Sequence, residues 1–356
     1  MSVALTGCAP TMLSEVQGEQ APDPSAGTTV PPDFSDATAA TDVPAELLFA
    51  IARSETNLQM ITGASEFDGQ EPAYGLMGLR GYNLELAAGL AGLDIELVKT
   101  DRNANLLAAA TLLAAIADDL GLDTSDIGKW APAVAVYGGI DDEEATAEYV
   151  HYQVYEALRE GISVEGYNLP PMDVTADYPQ PQNRRATESG TVWTPSPNYN
   201  SRSGAAVDFV IIHDCESSYS GCWSWLANPA SGVSAHYVVN ESGSEVRALV
   251  DENNRAWHIA ANYECDNNDG VECWRDGTSM NSVSVGIEHA GYASQSSWPV
   301  GQIQRSAELT CGISQRHGVP RDEYHIVGHG QLQPYNRTDP GPNWPWSDYL
   351  NRVQTE

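Results

Sequence analysis

A proline-rich interval near the middle of the chain separates two stretches that cannot belong to one repeating architecture. Residues 167–189 carry Pro170, Pro171, Pro179 and Pro181 among polar neighbours. Proline locks φ and removes a backbone donor, so the interval reads as a linker. Upstream, residues 45–52, 105–120 and 132–158 place apolar side chains at helical spacing in Ala-rich sequence, which predicts an all-α domain over 43–166. Downstream, residues 207–212 are β-branched and apolar, as a buried central strand requires. Further strands are expected at 235–239, 245–250 and 283–288, with helices starting at 221 and 302. Such alternation predicts an α/β domain over 190–356, with a central mixed sheet flanked by helices. Residues 9–42 are rich in Pro, Ser, Thr, Ala and acid, so 1–42 reads as a signal remnant and disordered tether.

Charge narrows the partners. Seventeen Lys plus Arg face 49 Asp plus Glu, a formal net charge of −32, which repels phosphate backbones and excludes nucleic acid binding. No apolar run approaches the roughly 20 residues that span a bilayer, so no transmembrane segment is expected. Leu5-Thr6-Gly7-Cys8 resembles the bacterial lipobox, in which Cys8 would carry a lipid anchor; the chance tetrapeptide stays open. Five more cysteines lie in the C-terminal half, where the spacings of Cys215 with Cys222 and Cys265 with Cys273 suggest local disulfides. Cys311 is then the thiol left over. These features point to the cell envelope or the extracellular space.

Among eight histidines, His213 and His329 stand out because each closes an apolar, β-branched run, next to short polar loops, and because Asp339 follows. His325 and His329 are spaced i, i+4, but Ile326, Val327 and Gly328 between them argue against a helix and against a H-E-x-x-H peptidase. His325 is read as structural. Two histidines, one carboxylate and a separate carboxylate match a hydrolytic zinc site, which keeps three protein ligands and leaves the fourth position for water.

These residues lie in motifs that resemble the type 2 N-acetylmuramoyl-L-alanine amidases, the family of phage lysozyme-like amidases and peptidoglycan recognition proteins. The motifs are Trp193 to Tyr199, Val210-Ile211-Ile212-His213, Ser234-Ala235-His236-Tyr237, Ala256-Trp257-His258, Gly286-Ile287-Glu288-His289 and the stretch from Gly328-His329 to Asp339-Pro340-Gly341-Pro342. The resemblance implies zinc held by His213, His329 and Asp339, Glu288 as the catalytic carboxylate, and peptidoglycan as the partner. Arg337 takes a position where members of the family often have Lys; it suits an oxyanion but not proton shuttling. Glu288 lies among apolar neighbours, which should raise its pKa. His236, Trp257 and His258 resemble substrate-groove residues, with core packing as the plain alternative for His236 and Trp257. His289 should alternate to the face opposite Glu288. A binding protein without turnover and a zinc peptidase acting within the stem peptide are the competing readings.

The N-terminal half is similar, more faintly, to the lysozyme-like lytic transglycosylases. The resemblance runs through Ala50-Ile51-Ala52-Arg53-Ser54-Glu55, Ala73-Tyr74-Gly75-Leu76-Met77 and Val134-Ala135-Val136-Tyr137-Gly138. It implies a lysozyme-like fold in which Glu55 protonates a glycosidic oxygen, or a degenerate domain that only binds glycan. Thr56 stands where Ser is usual and Gly78 where a substrate-binding Gln is usual, and the stretch from Glu55 to Gly75 is lengthened.

Overall fold

The computed structural model describes residues 21–23, 27–67, 69–164, 166–182 and 191–355. The expectation for Cys8 and the last part of the linker lie outside the described residues.

The N-terminal unit is helical. It runs through α1 (Pro32–Thr38), α2 (Ala45–Thr56), the short pair β1 (Ala73–Tyr74) and β2 (Leu79–Arg80), then α3 (Gly81–Ala91), α4 (Ile95–Thr100) and α5 (Arg102–Asp119). It closes with α6 (Ala131–Gly138), α7 (Glu143–Glu148), a π-helical turn at Tyr149–Val154, α8 (Tyr155–Glu160) and the pair β3 (Ile162–Val164) and β4 (Tyr167–Leu169). Local chemistry sets these boundaries. Side chains of Asp94, Asp101 and Asp142 accept backbone N–H groups at the starts of α4, α5 and α7, satisfying donors that have no partner within the helix. The single helix expected over 132–158 is therefore broken: Gly138 and Gly139 end α6, and Asp142 caps a new start.

Three expectations need correction. The all-α reading misses the antiparallel pairs β1–β2 and β3–β4. The tether is shorter than 1–42, because α1 packs into the helical core: Phe34 is fully buried edge-on against Phe49 at 5.1 Å, and Arg102 pairs with Asp33 at 2.5 Å. The linker also begins later than residue 167, since Leu169, Val174 and Ala176 are buried in that same core. Isolated apolar residues in polar sequence carry no periodic signal, which is why both segments read as unstructured. Phe34→Ala should cost about 3–5 kcal/mol, as for other buried aromatic truncations. A thermal melt that left the helical unit's midpoint unchanged would show that α1 is not part of its core.

The C-terminal unit comprises β5 (Thr191–Trp193), β6 (Tyr199–Ser201), β7 (Phe209–Ile212), α9 (Tyr219–Ala227), β8 (Tyr237–Val239), β9 (Val246–Ala248) and β10 (Asn254–Ala256). It continues through α10 (Met280–Val283), β11 (Ser284–His289), α11 (Val300–His317), β12 (Ile326–Gly328), α12 (His329–Leu332) and α13 (Trp346–Thr355). Its six-stranded sheet has the order β12-β7-β11-β8-β9-β5 and is mixed. Every pairing is parallel except β8 with β9. Helices α11 and α13 cover one face through Ile303, Ala307, Ile313, Tyr349 and Val353, while α9 packs on the other side through Trp223 and Leu226. Disulfides join Cys215 to Cys222 and Cys265 to Cys273, in agreement with their spacings. Cys311, expected to be left over, is itself disulfide-bonded. No helix among the described residues is long and apolar enough to cross a membrane.

The two units share a buried contact. Arg247 of β9 lies over the Trp223 ring at 4.2 Å and ion-pairs with Glu148 of α7 and, at 3.0 Å, with Glu245. Phe67 and Ala145 from the helical unit join Cys215, Trp223 and Leu226 in one apolar cluster. Removing one partner of such a buried charge pair would strand the other, so the pair commits the units to one relative placement.

Candidate metal centre

The site follows from strand register. Strand β7 lies between β12 and β11, all three parallel, with Gly328 and Ile287 both in register with Ile212. The residue after each register point therefore sits in one row at the carboxyl ends of the strands, and those residues are His329, His213 and Glu288. Open α/β sheets place their sites at this edge. Asp339 reaches the row from the loop before α13.

The donors converge closely. His213 Nδ1 is 3.1 Å from His329 Nδ1 and 3.0 Å from Asp339 Oδ2, and His329 Nδ1 is 3.1 Å from Asp339 Oδ2. Glu66, from the helical unit, brings Oε1 to 3.2 Å from His329 Nδ1. All four residues are buried.

The surrounding hydrogen bonds assign the tautomers. His213 Nε2 donates to His258 Nδ1 at 3.0 Å, His258 Nε2 donates to Ser284 Oγ at 3.1 Å, and that hydroxyl donates to the Met280 carbonyl at 2.6 Å. His329 Nε2 donates to Gln333 Oε1 at 3.2 Å. Both Nδ1 atoms are thereby left as lone pairs facing two carboxylates. Four acceptors crowded together need a cation, and the outward N–H partners are those that usually hold metal-bound imidazoles in place. Tetrahedral zinc with bonds near 2.1 Å would set its donors about 3.4 Å apart, within a few tenths of an ångström of the spacing here. The donor set fits zinc.

Electrostatics agree with this assignment. Burial, with help from His329 and Arg337, holds His213 down to about 4, in the neutral form that a ligand needs. His329 runs the other way: burial would lower it, but the Asp339 and Glu66 carboxylates raise it to about 10, so a proton would occupy the cluster in place of a metal. Burial pushes the Glu288 carboxyl well above the usual carboxylate range, with the charges of Glu66 and Asp339 adding to the effect. Among the described residues, neither Glu288 oxygen has a hydrogen-bond partner. An unsatisfied buried carboxylate costs stability and marks a group kept for chemistry.

Other expected site residues divide. His258 is no groove residue; it orients His213, and it packs so tightly on β11 that a Cβ at Gly286 would lie 2.5 Å from its Cγ. His236 is a core residue: fully buried, it accepts the Gly286 N–H at 3.0 Å on Nδ1, while Nε2 lies 2.9 Å from Arg202 and 3.2 Å from the Asn254 carbonyl. Trp257 is half-buried, its indole donating to Asn200 Oδ1 at 3.1 Å. Arg337 lies at the rim with Nε 3.3 Å from Glu66 Oε1. His289 points away from the site, donating to the His213 carbonyl at 2.8 Å and meeting Ser306 at 2.6 Å. His325 binds Asp322 at 2.7 Å. Glu66 is the member of the cluster that sequence reasoning misses, since nothing in its local sequence marks it.

Glu55 lies apart from this centre. It is buried at the floor of a cleft of about 600 Å³ between the two units, walled by Gly78, Arg80 and Tyr137 on one side and Trp225 and Asn228 on the other. Tyr149 donates to its Oε1 at 2.5 Å. Burial raises its pKa, against the lowering effects of Arg80 and Tyr149. Gly78, at φ +59°, packs against it, and a Cβ there would lie 3.0 Å from Glu55 Oε2.

A buried cluster of two histidines and two carboxylates, beside an unpartnered carboxylate at the ends of parallel strands, defines a candidate mononuclear metal centre on a mixed α/β sheet. The family model described as N-acetylmuramoyl-L-alanine amidase matches residues 203–342, within the C-terminal unit. The chain is 35% identical over 182 residues to N-acetylmuramoyl-L-alanine amidase A of Achromobacter lyticus, covering 46% of this chain and 92% of that protein. It is 26% identical over 154 residues to N-acetylmuramoyl-L-alanine amidase AmiD of Escherichia coli (strain K12), covering 39% of this chain and 51% of that protein. With the 1,6-anhydro-N-acetylmuramyl-L-alanine amidase AmpD of Citrobacter freundii it shares 29% over 117 residues, 33% of this chain and 55% of that protein. The chain thus spans about half the length of the latter two. It belongs to the N-acetylmuramoyl-L-alanine amidase family.

Proposed function

We propose that the C-terminal unit is a zinc-dependent hydrolase that cuts the amide between the lactyl group of N-acetylmuramic acid and L-alanine in peptidoglycan. The observation that carries this reading is the convergence of His213, His329 and Asp339 lone pairs beside an unpartnered Glu288. Zinc held by these residues would supply Lewis acidity toward the attacking water and the scissile carbonyl. Glu288 takes a proton from the attacking water and hands it to the leaving L-alanine amine, a transfer its raised pKa favours in the second step. Arg337, at the rim, offers N–H groups to the carbonyl oxygen as negative charge develops on it. His258 and Gln333 hold the two imidazoles in the tautomer that leaves Nδ1 free.

A second reading concerns the helical unit. A buried Glu55 with a raised pKa at the floor of a wide cleft supports a lysozyme-like site that binds the glycan strand and protonates its glycosidic oxygen. Two peptidoglycan-directed sites on one chain raise each other's local concentration at the wall. The disulfides support action in an oxidising compartment, at the cell envelope or outside the cell.

Digestion of purified peptidoglycan, with products identified by mass, tests both readings. The expected products are free lactyl ends and stem peptides with an L-alanine amino terminus, lost on chelation. Cuts between stem-peptide residues would make the protein a peptidase instead, and binding without any product would make it a binding protein. Anhydro-muramyl ends, if formed, should vanish with Glu55→Gln; a chain that forms none has a helical unit limited to binding.

A further inference from the structure

Residues 57–67, in the lengthened stretch after α2, run between the two units: Ile61 bridges to Gly75 of the helical unit and packs with Ala73 and with Tyr292 of the amidase unit. Asn57 and Leu58 turn the chain out of α2 with φ of 52° and 62°. Gln59 then takes the Ser296 N–H at 2.7 Å and donates to the Ser297 carbonyl at 3.0 Å. The Thr62 N–H reaches Ser294 Oγ at 3.1 Å, and the Ala64 N–H reaches Glu216 Oε2 at 3.2 Å. Phe67 is buried among Trp223 and Leu226. Between these anchors Glu66 enters the centre, 3.2 Å from His329 Nδ1 and 3.3 Å from Arg337 Nε.

A three-ligand hydrolytic centre keeps its fourth position for water and substrate, whereas a fourth protein ligand closes it. Glu66 stands as that fourth donor, and it also ties up Arg337 at the rim. With Glu66 in place, His213, Glu288, His329 and Asp339 are all buried. The hydrogen bonds of Gln59 and Thr62 to the amidase unit lie at exposed positions, so the chain before Glu66 can open locally while Phe67 stays buried. From this geometry we infer that Glu66 is a displaceable fourth zinc ligand, and that residues 57–67 hold the amidase in a latent state until Glu66 is drawn out of the centre.

The inference rests on the amidase reading above, and its test separates the two. Full-length protein and its Glu66→Ala and Glu66→Gln variants are compared in three ways: zinc affinity by chelator competition, acetohydroxamate binding followed through the visible spectrum of the Co²⁺-substituted protein, and turnover of a small soluble muropeptide. Loss of a ligand should weaken zinc binding in Glu66→Ala by about tenfold, the scale seen when one supporting group of a metal site is removed. Opening the fourth position should tighten hydroxamate binding and speed muropeptide turnover, each by roughly tenfold or more, as expected when a competent state that is a minor population becomes the major one. Glu66→Gln should fall between, because an amide oxygen is a weaker ligand. Wild-type behaviour in all three measurements overturns the inference. So does weaker zinc binding with unchanged or weaker hydroxamate binding, which would make Glu66 a permanent structural ligand. Tighter hydroxamate binding with no turnover by any form would uphold the latch and reject the amidase.

Discussion

Stripping zinc from this protein should lower its thermal midpoint by about 10 °C and end release of L-alanine amino termini from peptidoglycan. The stabilising term is mass action: a ligand at a thousand times its dissociation constant adds about 4 kcal/mol to the folded state, and each kcal/mol moves the midpoint of a unit the size of the C-terminal one by roughly 2–4 °C. The molecular reason is the make-up of the centre. His213 Nδ1, His329 Nδ1 and Asp339 Oδ2 meet within 3.1 Å, with Glu66, Glu288 and Asp214 buried around them. With zinc gone, the Asp339 carboxylate is offset by a proton on His329 and by Arg337 at the rim, and burial pushes Glu288 and Asp214 toward their neutral forms. His213→Ala and Asp339→Ala should reproduce the loss and bind no zinc at stoichiometric concentration. Both should retain the helical unit's circular dichroism, since its core contains neither residue. Calorimetry of zinc-loaded and chelated protein decides the matter, and coincident melts would mean that the cluster holds no metal.

Replacing Glu288 by Gln should cut turnover by about 10²–10⁴-fold, the usual worth of a positioned acid–base group, while zinc stays bound with unchanged affinity. Glu288 is not among the converging donors, so the metal should not notice its loss. The measurement is best made in Glu66→Ala protein, where the covering segment does not limit the rate. Stability should move in the opposite direction to activity. The folded-state pKa of Glu288 is raised, so its penalty is absent below the unfolded value of about 4.3 and grows as pH rises toward the folded value. In the zinc-free protein, Glu288→Gln should therefore match wild type in thermal stability near pH 4 and exceed it near pH 8. A variant that loses zinc, or that keeps turnover within tenfold, would remove Glu288 from the chemistry. A midpoint gain that did not change with pH would mean that its carboxyl is not held neutral by burial.

Much of the centre can be read along the chain because parallel strands present the residue after their last paired position at a common edge. Apolar β-branched runs ending at His213 and His329, and the strand carrying Glu288, announce that geometry through local pattern alone. The supporting layer is less legible. His258 reads as a groove residue because an exposed Trp-His pair and a buried one have the same sequence; only its 3.0 Å contact with His213 and the bare backbone of Gly286 beneath it assign it to holding the ligand. His236 is ambiguous in sequence for the same reason, and full burial resolves it. Helix α1 escapes a periodicity argument because one Phe in a polar stretch has no period, although Pro32 at its first turn is a start signal.

The two-part organisation, the strand-end histidines, the Asp339 that follows them and the separate Glu288 are all written in the order of residues, since each depends on local pattern and on the hand and spacing of secondary structure. Glu66 is different, a product of tertiary packing. It lies 147 positions before His213 (213 minus 66) in a segment with no periodicity, and its approach to the centre exists only because Arg247, Glu148 and Phe67 dock one unit on the other. A contact between units depends on how two finished surfaces fit, and that is written in no short stretch of either.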